Sequence, residues 1–146
     1  MCGLTGYLAL AGIDSTSADT RLRLMATALT HRGPDDFGVW VDNKRGIALG
    51  HRRLSIVDLS PAGHQPMASS GGRYVIAFNG EIYNHQALRA ELQAAGAAPT
   101  EWRGHSDTET LLAAFEHWGV EPTLNKTVGM FAIALWDARE QCLYLA

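Results

Sequence analysis

A thiol at the second residue is the first chemical opportunity in the chain. Cys2 lies in Met1-Cys2-Gly3-Leu4-Thr5-Gly6, and loss of an initiator methionine, which is easy before a small residue, leaves it at a free N-terminus. An unperturbed α-amino group titrates at about 7.7–8.0 and can take the thiol proton. Nucleophile and base then share one residue, and no separate histidine is needed. Glycines at positions 3 and 6 let substrate and neighbouring backbone come close. A thiol attacking an acyl carbon also needs donors for the oxyanion that forms. Phe78-Asn79-Gly80-Glu81 offers the Asn79 side-chain N–H and a Gly80 backbone N–H that no Cβ obstructs. An amino-acid substrate would add a carboxylate and an ammonium. Arg52 or Arg53 suits the first as a planar two-point donor, and Asp107, in the first turn of a helix, suits the second.

Each feature also has a plainer reading. Cys2 alone fits a small buried hydrophobe in a strand, and Asn79-Gly80 an ordinary turn. The two arginines fit a polar strand start, and Asp107 simple support of a helix end. Their order along one chain carries the chemical reading, and the elements between them must supply the geometry.

Gly3 to Leu10 reads as a strand, followed by a helix over about Ala18–Thr30 capped within Ser15–Ser17, with Leu22, Met25 and Leu29 at helical spacing. His31 to Asp36 is a loop broken by Gly33 and Pro34. Phe37–Asp42 and Gly46–His51 form a hairpin, and Leu54–Val57 is extended. Ser60 to Gly72 is a long loop of the length that tends to be functional. Tyr74–Phe78 is a buried strand, ending just before Asn79. Asn84 caps a helix to about Ala95 with Leu88 and Leu92 inward. Ser106-Asp107-Thr108-Glu109 is a capping box opening a helix with a stripe of Leu111, Leu112, Phe115 and Trp118. Met130–Trp136 and Cys142–Leu145 are strands. Helices mixed with mostly antiparallel strands indicate an α+β fold.

The 146 residues suit one domain by a prior of about 100–200 each. They are 47% hydrophobic and carry a net charge of −3, which excludes intrinsic disorder, a basic nucleic-acid footprint and a polybasic membrane patch. Cys2 and Cys142 make no disulfide framework. No signal-peptide pattern opens the chain, and its longest apolar run, Met130–Trp136, is far short of the ~20 residues that span a bilayer. A cytoplasmic, reduced protein with no membrane or nucleic-acid partner is expected. His51, His64, His105 and His117 lack metal-ligand spacing, so no metal site is expected, and no phosphate-binding Gly-x-x-x-x-Gly-Lys run occurs.

Five motifs together carry a family likeness. Met1-Cys2-Gly3-Leu4-Thr5-Gly6, His31-Arg32-Gly33-Pro34-Asp35, Arg53-Leu54-Ser55-Ile56-Val57-Asp58, Asn79-Gly80-Glu81-Ile82-Tyr83-Asn84 and Ser106-Asp107-Thr108-Glu109 resemble class II glutamine amidotransferases. The set is most similar to the glutaminase domain of glutamine-hydrolysing asparagine synthetases. The resemblance spans residues 1–146 and implies the four-layer α-β-β-α sandwich of N-terminal nucleophile hydrolases. It implies Cys2 as nucleophile and Asn79 with Gly80 as oxyanion hole. It assigns the glutamine α-carboxylate to Arg53 and the α-ammonium to Asp107, with Glu81 and the backbone near Ile56 lining the pocket. L-glutamine is then the substrate, and no cofactor is expected in this domain. The chain also lacks the family's later glutaminase strands and its synthetase domain, so the sequence reads as cut. ATP, Mg2+ and the conversion of aspartate to asparagine belong to that absent part, and a homodimer is left open. Two alternatives stand beside this reading: an amidotransferase with a sugar or another carboxylate as acceptor, and a non-catalytic fragment.

Overall fold

The computed structural model describes residues 2–9, 11–55 and 61–146. Strand β1 (Gly3–Leu8) is followed by helix α1 (Ser15–Ala28), β2 (Asp36–Asp42), β3 (Ile47–Arg53), β4 (Met67–Ala68) and β5 (Tyr74–Ile82). Helices α2 (His85–Ala94), α3 (Asp107–Trp118) and α4 (Val120–Lys126) precede β6 (Gly129–Asp137) and β7 (Cys142–Leu145). Two antiparallel sheets result, β1-β3-β2 and β4-β5-β6-β7. The α+β expectation holds.

Strand alternation decides which side chains face where. On β3, Ala48, Gly50 and Arg52 face α1; the Leu22 side chain lies against Gly50, and Arg52 Nε donates to the Ala26 carbonyl at 3.0 Å. Ile47 and Leu49 point the other way and pack with Val75, Ala77, Ala134 and Trp136 of the second sheet. The opposite face of that sheet, with Ile76, Phe78, Ile133 and Leu135, packs on Leu111 and Phe115 of α3 and Leu88 of α2. The packing order is therefore helix, three-stranded sheet, four-stranded sheet, helix pair. Each fully buried leucine or phenylalanine in these layers is worth about 1.5–3 kcal/mol.

Several local expectations need correction. Helix α1 is capped by Asp14, whose carboxylate accepts from Ser17 N–H at 2.9 Å. Its buried stripe is Ala18, Leu22 and Ala26, spaced four apart on one face, while Met25 and Leu29 beside it are only partly buried. Asn84 makes no cap bond; its amide pins Lys126 O and Val128 N, both at 2.9 Å. Ser106 caps α3 as expected, accepting from Glu109 N–H at 3.3 Å. The Glu109 carboxylate is turned to Arg103 N–H and Gly104 N–H instead of closing a reciprocal box. Helix α4 had no sequence expectation, since Pro122 in its first turn hides a short helix. Leu10 and residues 56–60 lie outside the described residues, so the expectations for the ends of the first strand and of Leu54–Val57 do too.

Candidate active site

Cys2 precedes β1 on the face that Leu4 shares, directed toward the second sheet. Its sulfur is fixed to the continuation of β3: Leu54 N–H donates to Sγ at 3.3 Å, and the thiol reaches Leu54 O at 3.6 Å. From the other side Arg32 Nε donates to Cys2 O at 3.1 Å. Gly33 is required beside it, since a Cβ there would collide with the Arg52 carbonyl and Arg53 N. The His-Arg-Gly-Pro-Asp loop is thus a clamp on the residues at and behind Cys2.

The same alternation separates the two arginines. Arg52 faces α1 and stacks over the Phe37 ring at 4.8 Å, so it is unavailable to the interior. Arg53 turns inward and is only 8% exposed. The guanidinium lies against Gly63, where an added Cβ would strike Nη2 and Cζ.

Strand β5 runs on to Ile82, so Asn79-Gly80 lies within a strand and not in a turn after it. Its odd residues pair with β6, Asn79 opposite Ala132 and Glu81 opposite Met130. Its even residues turn their backbone groups to the other edge, where β4 covers only Ile76 and Val75. Beyond β4 the edge is closed by side chains. Gln65 Oε1 accepts Phe78 N–H at 2.7 Å, and Asp107 Oδ2 accepts Ile82 N–H at 3.0 Å. Gly80 lies between them on this edge. It has φ 155°, and a Cβ would run into Met130 O and Phe131 Cα. Only glycine fits at this position.

Asp107 is 7% exposed, and its other oxygen accepts Thr108 N–H at 2.8 Å. Cys2, Arg53, Asn79, Gly80, Glu81 and Asp107 all line one cavity of about 170 Å3. Ile56 lies outside the described residues. Chemically the cavity offers one thiol, an amide and a glycine at an open strand edge, and a guanidinium and carboxylates of opposite charge. It can hold a zwitterionic amino acid beside a nucleophile.

Sequence reasoning missed Gln65, Thr108 and His51. Gln65 and Thr108 line the cavity, and His51, 1% exposed, meets the Phe78 carbonyl at 2.9 Å through Nε2. No spacing rule announces them, because Gln65 and His51 serve the backbone of a distant strand and Thr108 meets the Gln65 side chain across 43 residues. Tyr83 and Met130, both largely exposed, form part of the cavity wall. No helix among the described residues is long and apolar enough to cross a membrane.

A family described as glutamine amidotransferase domain matches residues 1–146. A putative glutamine-hydrolysing asparagine synthetase of Mycobacterium bovis is 40% identical across 100% of this chain and 24% of its own length. Glutamine-hydrolysing asparagine synthetase 3 of Bacillus subtilis is 38% identical over 100% of this chain and 23% of its own. The chain thus spans about a quarter of the length of these relatives. A solved structure of glutamine phosphoribosylpyrophosphate amidotransferase from B. subtilis with ADP and GMP aligns at a TM-score of 0.52, with 20% identity. That alignment covers 68% of this chain and 23% of the other, and is a likeness of fold.

Proposed function

The chain belongs to the glutamine amidotransferase domain family, and on that premise we propose that its cavity hydrolyses L-glutamine to glutamate and ammonia through a thioester on Cys2. With Met1 removed, the Cys2 α-amine takes the thiol proton as Sγ attacks the side-chain amide carbon. The carbonyl oxygen gains negative charge and is held by Gly80 N–H and the Asn79 amide. Collapse breaks the C–N bond, and the amine passes its proton to the departing nitrogen. Water, deprotonated by the same amine, then adds to the thioester; the C–S bond breaks, glutamate leaves, and the ammonium returns its proton to the sulfur. Arg53 grips the α-carboxylate, Asp107 meets the α-ammonium, and Glu81 lines the pocket beside them.

One observation carries this reading. Six residues from four well-separated segments of the chain, at positions 2, 53, 79–81 and 107, line a single cavity. In a protein of the relatives' length the ammonia would be handed to an ATP-activated aspartate. ATP and Mg2+ would serve that further portion.

The test is ammonia release from glutamine. Cys2→Ala abolishes it while the melting temperature stays near that of the unsubstituted protein, and mass spectrometry finds Cys2 as the mature N-terminus. Undiminished release from Cys2→Ala, or a retained Met1 in an active protein, refutes the mechanism.

A further inference from the structure

The peptide groups of Phe78 are the last ones on the β5 edge before Gly80, and two side chains hold them. Gln65 Oε1 accepts Phe78 N–H at 2.7 Å, and Gln65 Nε2 donates to Thr108 Oγ1 at 3.3 Å. His51 reaches across from the other sheet to the Phe78 carbonyl at 2.9 Å. A carbonyl only accepts, so Nε2 carries the proton and Nδ1 is left as an acceptor, with no hydrogen-bond partner among the described residues. Burial keeps this ring neutral, pushing its pKa down to about 4. A buried histidine and a buried glutamine thus fix the edge residue that lies just before the uncovered Gly80. That residue is joined directly to Asn79 and through it to Gly80.

We propose that Gln65 and His51 are positioning residues that hold the Phe78 peptide so that the Asn79 and Gly80 donors meet the oxyanion on the acyl carbon attacked by Cys2. The inference rests on the glutaminase reading and deepens it. Neither residue transfers a proton or bonds to substrate. Their effect belongs to the step in which charge appears on the carbonyl oxygen, and a misplacement on the order of 1 Å there costs about 10²-fold in rate.

The experiment compares three measurements on Gln65→Met. The first is kcat and KM for glutamine. The second is the rate at which iodoacetamide alkylates Cys2, a displacement at saturated carbon that builds no oxyanion. The third is inhibition by glutamate γ-semialdehyde, whose carbonyl takes up Sγ and places its oxygen in the donor site. Expected are a kcat lowered about 10–100-fold, a KM within about threefold of the original and a semialdehyde affinity that falls in step with kcat. The alkylation rate stays unchanged. His51→Leu gives the same signature, and His51→Gln, whose amide N–H can still reach Phe78 O, recovers most of the kcat. A kcat for Gln65→Met within about twofold of the original overturns the inference. So does a parallel loss of kcat and alkylation rate, which would mean a merely structural role. Absence of glutamine hydrolysis in the unsubstituted protein refutes the glutaminase reading itself, and this inference with it.

Discussion

Replacing Asp107 by Asn separates what its carboxylate does for the fold from what it does for substrate. Each oxygen of Asp107 accepts one backbone N–H, from Ile82 at 3.0 Å and from Thr108 at 2.8 Å. Asparagine has one acceptor and one amide, so whichever way it turns, an N–H2 faces an N–H. One hydrogen bond to a charged group is lost, about 1.5–3 kcal/mol, and the first-turn charge on α3 contributes about 0.3–1 kcal/mol more. The expected destabilisation is about 2–4 kcal/mol, larger than helix capping alone suggests from the sequence. At this chain length that lowers Tm by very roughly 5–15 °C. Asp107 lines the cavity, so on the proposed reading loss of the charge facing the substrate ammonium adds a binding cost of about 2–5 kcal/mol, or roughly 30- to 4,000-fold in kcat/KM. The assay is kcat/KM for glutamine at a temperature where the variant is fully folded by circular dichroism, beside its melting curve. A depressed Tm with kcat/KM near the original would show that Asp107 only ties α3 to β5, and the α-ammonium role would fall.

Gly63→Ala pushes a methyl into the Arg53 guanidinium; KM for glutamine should rise about tenfold, a loss of about 1.4 kcal/mol, with kcat little changed. An unchanged KM would mean that Arg53 does not hold the α-carboxylate. His51, with a pKa of about 4 in the fold against about 6.5 when unfolded, makes the unfolded chain bind more protons between those values. Stability therefore rises with pH across that window, by about 3 kcal/mol, and is lost as pH falls from 6.5 to 4. Chemical denaturation at a series of pH values should show this slope, and His51→Gln should flatten it; an equal slope in the variant assigns the effect elsewhere.

The longer strands and the buried faces of α2 and α3 were legible because their apolar periods are regular, whereas the two-residue β4 fell within a segment read as loop. The residues singled out for their chemical types proved to line one cavity. Two kinds of feature were not legible. The extension of β5 through Asn79, Gly80 and Glu81 is masked by residues that ordinarily make turns; β6 pairs with it as far as Ile82 and overrides that local preference. The choice between Arg52 and Arg53 needs the register of β3, where one residue decides between the α1 face and the cavity. His51 and Gln65 are read as unremarkable in the sequence because each serves a backbone group 27 or 13 residues away.

The register also explains why the site opens where it does. Met67 lies opposite Ile76 and Ala68 opposite Val75. Continued toward its N-terminus, β4 would set Gln65 opposite Phe78 and Gly63 opposite Gly80. A longer β4 would bond the Gly80 edge through its own backbone and leave no donor for a substrate. The ladder stops at Met67. Gln65 then meets Phe78 with its side chain instead of its backbone, and Gly63 backs onto the Arg53 guanidinium. One short strand thereby leaves the Gly80 edge uncovered and places the arginine beside it. Both outcomes follow from ending a ladder two residues after it begins.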